Sequence, residues 1–159
     1  MSDDEGLPMC KRAMKRLLLW LCLVLSLAPG IPAGAAAPPG RYTVNANGTV
    51  LDGRTGLTWQ QAVDANLYTH AGAVSYCTGL VFAGGGWRLP KVSELLTLVD
   101  PTTFRPAIDA TAFPSTPGEV FWCSSQYVST SSDAWHVNFS YGDSNGGDMS
   151  ESWHVRCVR

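Results

Sequence analysis

The chain of 159 residues lacks an apolar run long enough to span a bilayer: the longest, residues 17–28, is about 12 residues where about 20 are needed. Charge is scarce, at 15% of residues, with 11 basic against 13 acidic. That balance excludes the broad basic surface through which nucleic acid, heparin-like polymers or anionic membranes are gripped. Histidine is scarce too. His70, His136 and His154 include no pair at the close spacing of zinc ligands, so they read as surface or cross-strand residues, and no metal is expected. His136 and His154 share one sheet face if their strands are neighbours. No Ser stands in a nucleophile elbow, and no His, Ser and acid share a recognisable local context, which leaves a hydrolase without support. Asp143, Asn145 and Asp148 alternate like oxygen ligands, yet the loop length and closing bidentate Glu of an EF-hand are missing, and a solvated turn is the expectation.

What is present begins with a leader. Lys11, Arg12, Lys15 and Arg16 precede the apolar run, which is followed by Pro29-Gly30 and by Ala33-Gly34-Ala35, the small residues read by a signal peptidase. Residues 1–35 are therefore expected to be removed on export, with 36–41 as a linker and 42–159 as one domain. The final location is periplasmic, cell-surface or secreted, with no integral membrane span after cleavage. From residue 36 on, 7 basic residues face 10 acidic ones, a net charge of about −3. Trp59, Trp87, Trp122, Trp135 and Trp153 give this part an aromatic core. Cys77, Cys123 and Cys157 place it in an oxidising compartment, and their odd number allows at most one internal pair.

Along the domain, Tyr42-Thr43-Val44 and Thr49-Val50-Leu51 read as short strands around an Asn47-Gly48 turn, with a third near residues 56–59. Thr69 can cap a helix whose apolar positions are Ala73, Val74, Cys77, Leu80 and Val81, which turns Cys77 inward. Pro90 presets a second helix with an inward stripe of Val92, Leu95, Leu96 and Val99, while Lys91, Ser93, Glu94 and Thr97 face out. Four prolines between residues 101 and 118 mark a long loop pinned by Phe104, Ile108 and Phe113. Strands are expected at 120–124, 134–140 and 152–158. In the second, Trp135, Val137 and Phe139 alternate with His136, Asn138 and Ser140; in the third, Trp153, Val155 and Cys157 alternate with His154 and Arg156. Residues 141–151 read as a loop. The order of elements predicts an α+β fold.

Thr55-Gly56-Leu57-Thr58-Trp59, Trp87-Arg88-Leu89-Pro90 with Glu94-Leu95, Ile108-Asp109, Phe113-Pro114, Phe121-Trp122-Cys123-Ser124-Ser125, Ala134-Trp135 and Val155-Arg156-Cys157-Val158-Arg159 occur in one order. Through these motifs the chain resembles the Lcl C-terminal domain family, named from a bacterial collagen-like surface protein, over about residues 42–159. The resemblance implies a C-type-lectin-like fold: N- and C-terminal strands paired, two helices on the sheet, a long loop region presenting a variable surface. It further implies a surface or secreted binding module. Trp87, Arg88 and Pro90 then form a structural corner that seats the second helix, with Arg88 donating to backbone carbonyls or to a carboxylate such as Asp109. The same resemblance implies that Cys77 pairs with Cys157. Cys123 departs from the Ser- or Thr-like residue expected after the aromatic pair and is expected as a buried free thiol, with a Cys123–Cys157 or intermolecular bridge as the alternatives.

Calcium-dependent lectins of this fold use an acid-Pro-Asn loop and a Trp-Asn-Asp motif. Neither is present, since Trp135 is followed by His136-Val137-Asn138, so no calcium-mediated sugar binding and no cofactor are expected. A formylglycine-generating oxidase shares the fold superfamily and works through cysteine, which makes an accessible, low-pKa Cys123 the mark of a third, enzymatic reading; enzyme activity is not the expectation. The outward positions between Gln126 and His154 are rich in Tyr, Ser, Thr, Asp, His, Asn and Gly, a composition suited to adaptable recognition. The candidate contact set is Tyr127, Asp133, His136, Asn138, Tyr141, Asp143, Asn145 and Asp148, with Trp135 and Trp153 read as core. Some proteins of this fold are varied by diversity-generating retroelements, and this stretch is compatible with that. The sequence reading is thus an exported module that contacts a glycan or protein without metal; the alternative is a structural envelope domain that associates with itself or a larger assembly, through an exposed Cys123 or an apolar patch near Phe104 and Phe113.

Overall fold

The computed structural model describes residues 38–159; the expected leader and its cleavage point after Ala35 lie outside the described residues. Strands β1 (Tyr42–Val44), β2 (Thr49–Asp52) and β3 (Thr58–Gln60) form an antiparallel sheet in that order. The β1–β2 turn is built from Asn47-Gly48. Gly48 has φ +78°, a left-handed conformation that glycine adopts without steric cost, and Asn47 Oδ1 accepts from the Thr49 hydroxyl at 2.8 Å.

Helix α1 (His70–Gly79) starts where Thr69 Oγ1 accepts from the Gly72 N–H at 3.3 Å. Its buried stripe is narrower than the sequence suggests. Ala73 and Cys77 are buried, but Val74 is partly exposed, and Val81 lies beyond the last helical residue, out of phase with the stripe and in solvent. Helix α2 (Val92–Leu95) tightens at once into a 3-10 turn over Leu96–Leu98. With three residues per turn instead of 3.6, the inward positions become Leu95 and Leu98, and Leu96 turns outward. In the long loop Ile108 and Phe113 are buried, whereas Phe104 is 73% exposed and pins nothing.

The second sheet is antiparallel, in the order β4 (Val120–Gln126), β5 (Asp133–Asn138), β6 (Asp143–Asp148). Two expectations are corrected here. The Asp-Ser-Asn-Gly-Gly-Asp segment expected in a loop is a strand, held in full register against β5 from Asp133↔Asp148 to Asn138↔Asp143. Residues 152–158, expected as a strand, are paired at single positions only: Trp153 with Tyr68, His154 with Phe121, and Val158 with both Trp59 and Arg88. The chain end cannot be one regular strand because it serves four partners in turn. Arg156, expected to alternate outward with His154, is fully buried. It donates to Gln60 O and Gln61 O, each at 2.6 Å, and to Thr116 Oγ1 at 2.7 Å.

β4 divides the core. Phe121 and Cys123 join Val50, Trp59, Leu95, Phe113 and Val137 on one side, while Trp122 joins Ala73, Trp87, Leu89, Ala134 and Val155 on the other. On that second side Cys77 and Cys157 form a disulfide, as the resemblance implies, and Cys123 is free and buried. The Trp87-Arg88-Leu89-Pro90 corner ties α2 to both the chain end and β4. Arg88 exchanges backbone hydrogen bonds with Val158, and Pro90 O accepts from Ser124 N at 2.7 Å. The Arg88 guanidinium pairs with Glu94 through two bonds of 2.7 Å, not with Asp109. Glu94, expected to face solvent, also accepts from Lys91 N at 2.8 Å, so one carboxylate closes the helix start and neutralises Arg88. Two antiparallel three-stranded sheets and two short helices among the described residues make the fold α+β.

Candidate functional site

Strand alternation sorts the candidate contact residues onto two faces. Trp122 opposes His136, which opposes Asn145, and Asn138 opposes Asp143, so these lie on one face. Phe121, Val137 and Ser144 share the other face, with Asp133 opposite Asp148. Tyr127 packs edge-on against Trp135, 4.8 Å between ring centres, on that second side. Tyr141 sits in the β5–β6 turn, exposed, accepting from Arg105 Nη2 at 2.6 Å with the guanidinium over its ring. The eight residues therefore do not form one patch.

His136 and His154 also part company. β4 lies between their segments, so His136 contacts Trp153 on the Trp122 side, whereas His154 packs on Phe121. Burial holds the His136 imidazole below its usual pKa, against the opposing pull of Asp143. Its Nδ1 is buried without a partner, as is Nδ1 of His154. Trp153 lies against the Trp122 ring at 4.1 Å and over β6 at Gly147, where a Cβ would stand 2.1 Å from its ring. Trp135 and Trp153 are half-buried and pack at the edge of the two core clusters.

Beside the start of β4 a cleft of about 330 Å³ opens, lined by Leu67, Glu119, Asn138, Ser152, Trp153 and His154 among others. Asn138 alone of the contact set lines it. Asn138 Oδ1 accepts from Ser140 N at 2.9 Å, and its Nδ2 has no partner among the described residues. His154 Nε2 meets Glu119 Oε2 at 3.0 Å. Sequence reasoning missed Glu119 and placed Trp153 in the core. No local signal could have found them: Glu119 is set beside Asn138 by the β4–β5 pairing, where its carbonyl accepts from Phe139 N at 2.8 Å, and Trp153 by the bridge between His154 and Phe121, both contacts between distant segments. A second cleft of about 340 Å³ lies between α1 and the Arg88–Pro90 corner, lined by Val74, Thr78, Arg88, Leu89, Lys91 and Ser124.

Among the described residues no three His, Cys, Asp or Glu converge as metal ligands, and no helix is long and apolar enough to cross a membrane. Asp148 is exposed, its carboxyl held low by the backbone N–H and the hydroxyl of Ser150. Asn145 turns its Oδ1 to Gly146 N at 2.8 Å. Both spend acceptors on their own loop or strand, as turn-type side chains do. Cys123 is fully buried, and burial, with the Glu94 carboxylate adding to it, pushes its thiol well above the usual range. That is the reverse of the accessible thiolate that cysteine chemistry requires.

No curated protein matches the chain. The family model described as the Lcl C-terminal domain matches residues 48–159, a span that takes in both sheets from β2 onward, both helices, the disulfide and every residue named for the cleft. The chain belongs to the Lcl C-terminal domain family.

Proposed function

We propose that this domain is an exported ligand-binding module of C-type-lectin-like fold that recognises a glycan or protein ligand without a metal. The observation that carries the reading is the cleft beside β4. Its volume of about 330 Å³ lies at the lower end of ligand sites, and it combines apolar surface from Leu67 and Trp153 with a free amide donor on Asn138 and a largely exposed carboxylate on Glu119. The Cys77–Cys157 disulfide and the surface-protein family support an oxidising, exported setting. A thiol-based activity is not part of the proposal, since Cys123 offers neither access nor a lowered pKa. The test is binding of the purified protein to immobilised glycans and surface proteins, with and without a chelator. Chelator-resistant binding lost on Asn138→Ala supports the module and places its ligand in the cleft; chelator-sensitive binding refutes the metal-free reading.

A second reading, self-association or docking within an envelope assembly, draws on Phe104 and Tyr141, which are 73% and 63% exposed with Arg105 between them. Aromatic residues with Arg are the types that anchor protein interfaces. Concentration-dependent sedimentation abolished by Phe104→Ser would favour it; a monomer at every concentration would remove it.

A further inference from the structure

The electrostatics of the β4 cleft narrow the class of ligand, and this inference rests on the cleft being the binding site. Its ionisable lining groups are Glu119 and His154, and no Lys or Arg lines it. The Glu119 side chain is 65% exposed; its Oε2 is held by His154 Nε2, and its Oε1 has no partner among the described residues. The contact with His154 occupies one carboxylate oxygen of Glu119 and leaves the other turned to the cleft. An anionic ligand would bring a second negative charge beside Glu119 at a site with no Lys or Arg, in a domain already carrying 10 acidic against 7 basic residues. The remaining polar groups, the Asn138 amide and the Ser140 and Ser152 hydroxyls, are neutral and suit ring hydroxyls, whereas a lysine stem would present methylenes to them.

We infer that the cleft takes a glycan bearing a protonated primary amine, a non-acetylated amino sugar, with its ammonium on Glu119 and its ring hydroxyls on Asn138 and Ser152. The test is calorimetric titration of the purified protein near neutral pH with a glucosamine oligosaccharide, its fully N-acetylated counterpart, an oligouronate and a Lys-rich peptide. The glucosamine oligosaccharide is expected to bind about tenfold or more tighter than the acetylated one, a preference that shrinks with added salt and disappears in Glu119→Gln. Glu119 is largely exposed, so this variant keeps the fold. Equal affinity for the two oligosaccharides, with both lost on Asn138→Ala, would overturn the amine assignment while leaving the glycan-binding reading intact. Preferred binding of the oligouronate would overturn it as well. Binding of the peptide alone would overturn the sugar assignment, and binding of none would overturn this inference together with the reading of the cleft as the site.

Discussion

Arg156 shows what a single residue can hold together. Fully buried, it joins the β3 end, through Gln60 O and Gln61 O, to the long loop at Thr116 and lies 4.7 Å from the Phe113 ring centre. Burial lowers its pKa to about 9, which leaves it protonated at neutral pH. A lysine ammonium cannot span three acceptors set around a planar fork, so Arg156→Lys is expected to cost about 2–4 kcal/mol by urea denaturation, from orphaned carbonyls more than from lost charge. Asp52 is a fully buried carboxylate. Burial alone would raise its pKa, but bonds from the Arg41 side chain and the Arg54 N–H outweigh it, and the net shift is downward. A carboxyl with a depressed folded-state pKa contributes stability that is complete above its unfolded value near 3.9 and is lost as pH falls through the lower folded value. The denaturation midpoint should therefore drop steeply below about pH 4. In Asp52→Asn the protein should be weaker at neutral pH and its acid limb shallower; an unchanged limb would assign acid sensitivity to other carboxyls. Neither role was legible in the sequence. Alternation set Arg156 outward, and nothing local to Asp52 indicates Arg41 eleven positions earlier.

At the level of elements, β6 is the instructive case. Asp-Ser-Asn-Gly-Gly-Asp has poor strand propensity, yet six residues pair with β5 because the Ser140–Gly142 turn fixes the register and two glycines admit aromatic rings from opposite sides. A Cβ at Gly146 would stand 2.5 Å from the Tyr127 ring, and one at Gly147 would stand 2.1 Å from the Trp153 ring. Each alanine substitution should destabilise by about 1–3 kcal/mol through overpacking. Their functional effects should differ: Gly147→Ala displaces Trp153, which lines the cleft, and should weaken ligand binding, whereas Gly146→Ala acts on the other face and should spare it. Loss of binding in both variants at matched stability would mean that the whole hairpin, not the cleft, makes the contact. β1, β2, β4, β5 and the Thr69-capped helix were readable because alternation and capping are local signals. The 3-10 turn after Leu95 was not, since its period is set by packing beneath Leu98.

On the scale of the whole molecule, the last eight residues act as a seam. Trp153 exchanges backbone bonds with Tyr68, Val158 with Arg88 and Arg159 with Thr58, and Cys157 is bonded covalently to α1. The disulfide closes a separation of 80 positions, and cross-linking so long a loop restricts the unfolded chain by about 4 kcal/mol on the loop-entropy account. Reductant should lower the denaturation midpoint accordingly, and Cys77→Ser should reproduce the loss without reductant. Native Cys123 should resist thiol reagents until the protein unfolds, because it is buried and its thiolate is disfavoured. Labelling at the rate of an exposed thiol would contradict the core described above.

The sequence by itself determined the mildly acidic balance of residues 36–159, the α+β class, the position of most strands and the two helix starts. These follow from composition, alternation, capping residues and turn residues, all of which act over a few positions. Its motifs were also enough to indicate the family. Only the tertiary structure decided that Arg156 is buried, that Arg88 pairs with Glu94, that the eight candidate contact residues are divided between two faces and a turn and that Asn138 shares a cleft with Glu119, Trp153 and His154. The physical reason is common to all four. Each depends on which distant segment lies alongside which, and a register shift of one residue would exchange the faces without changing any local preference.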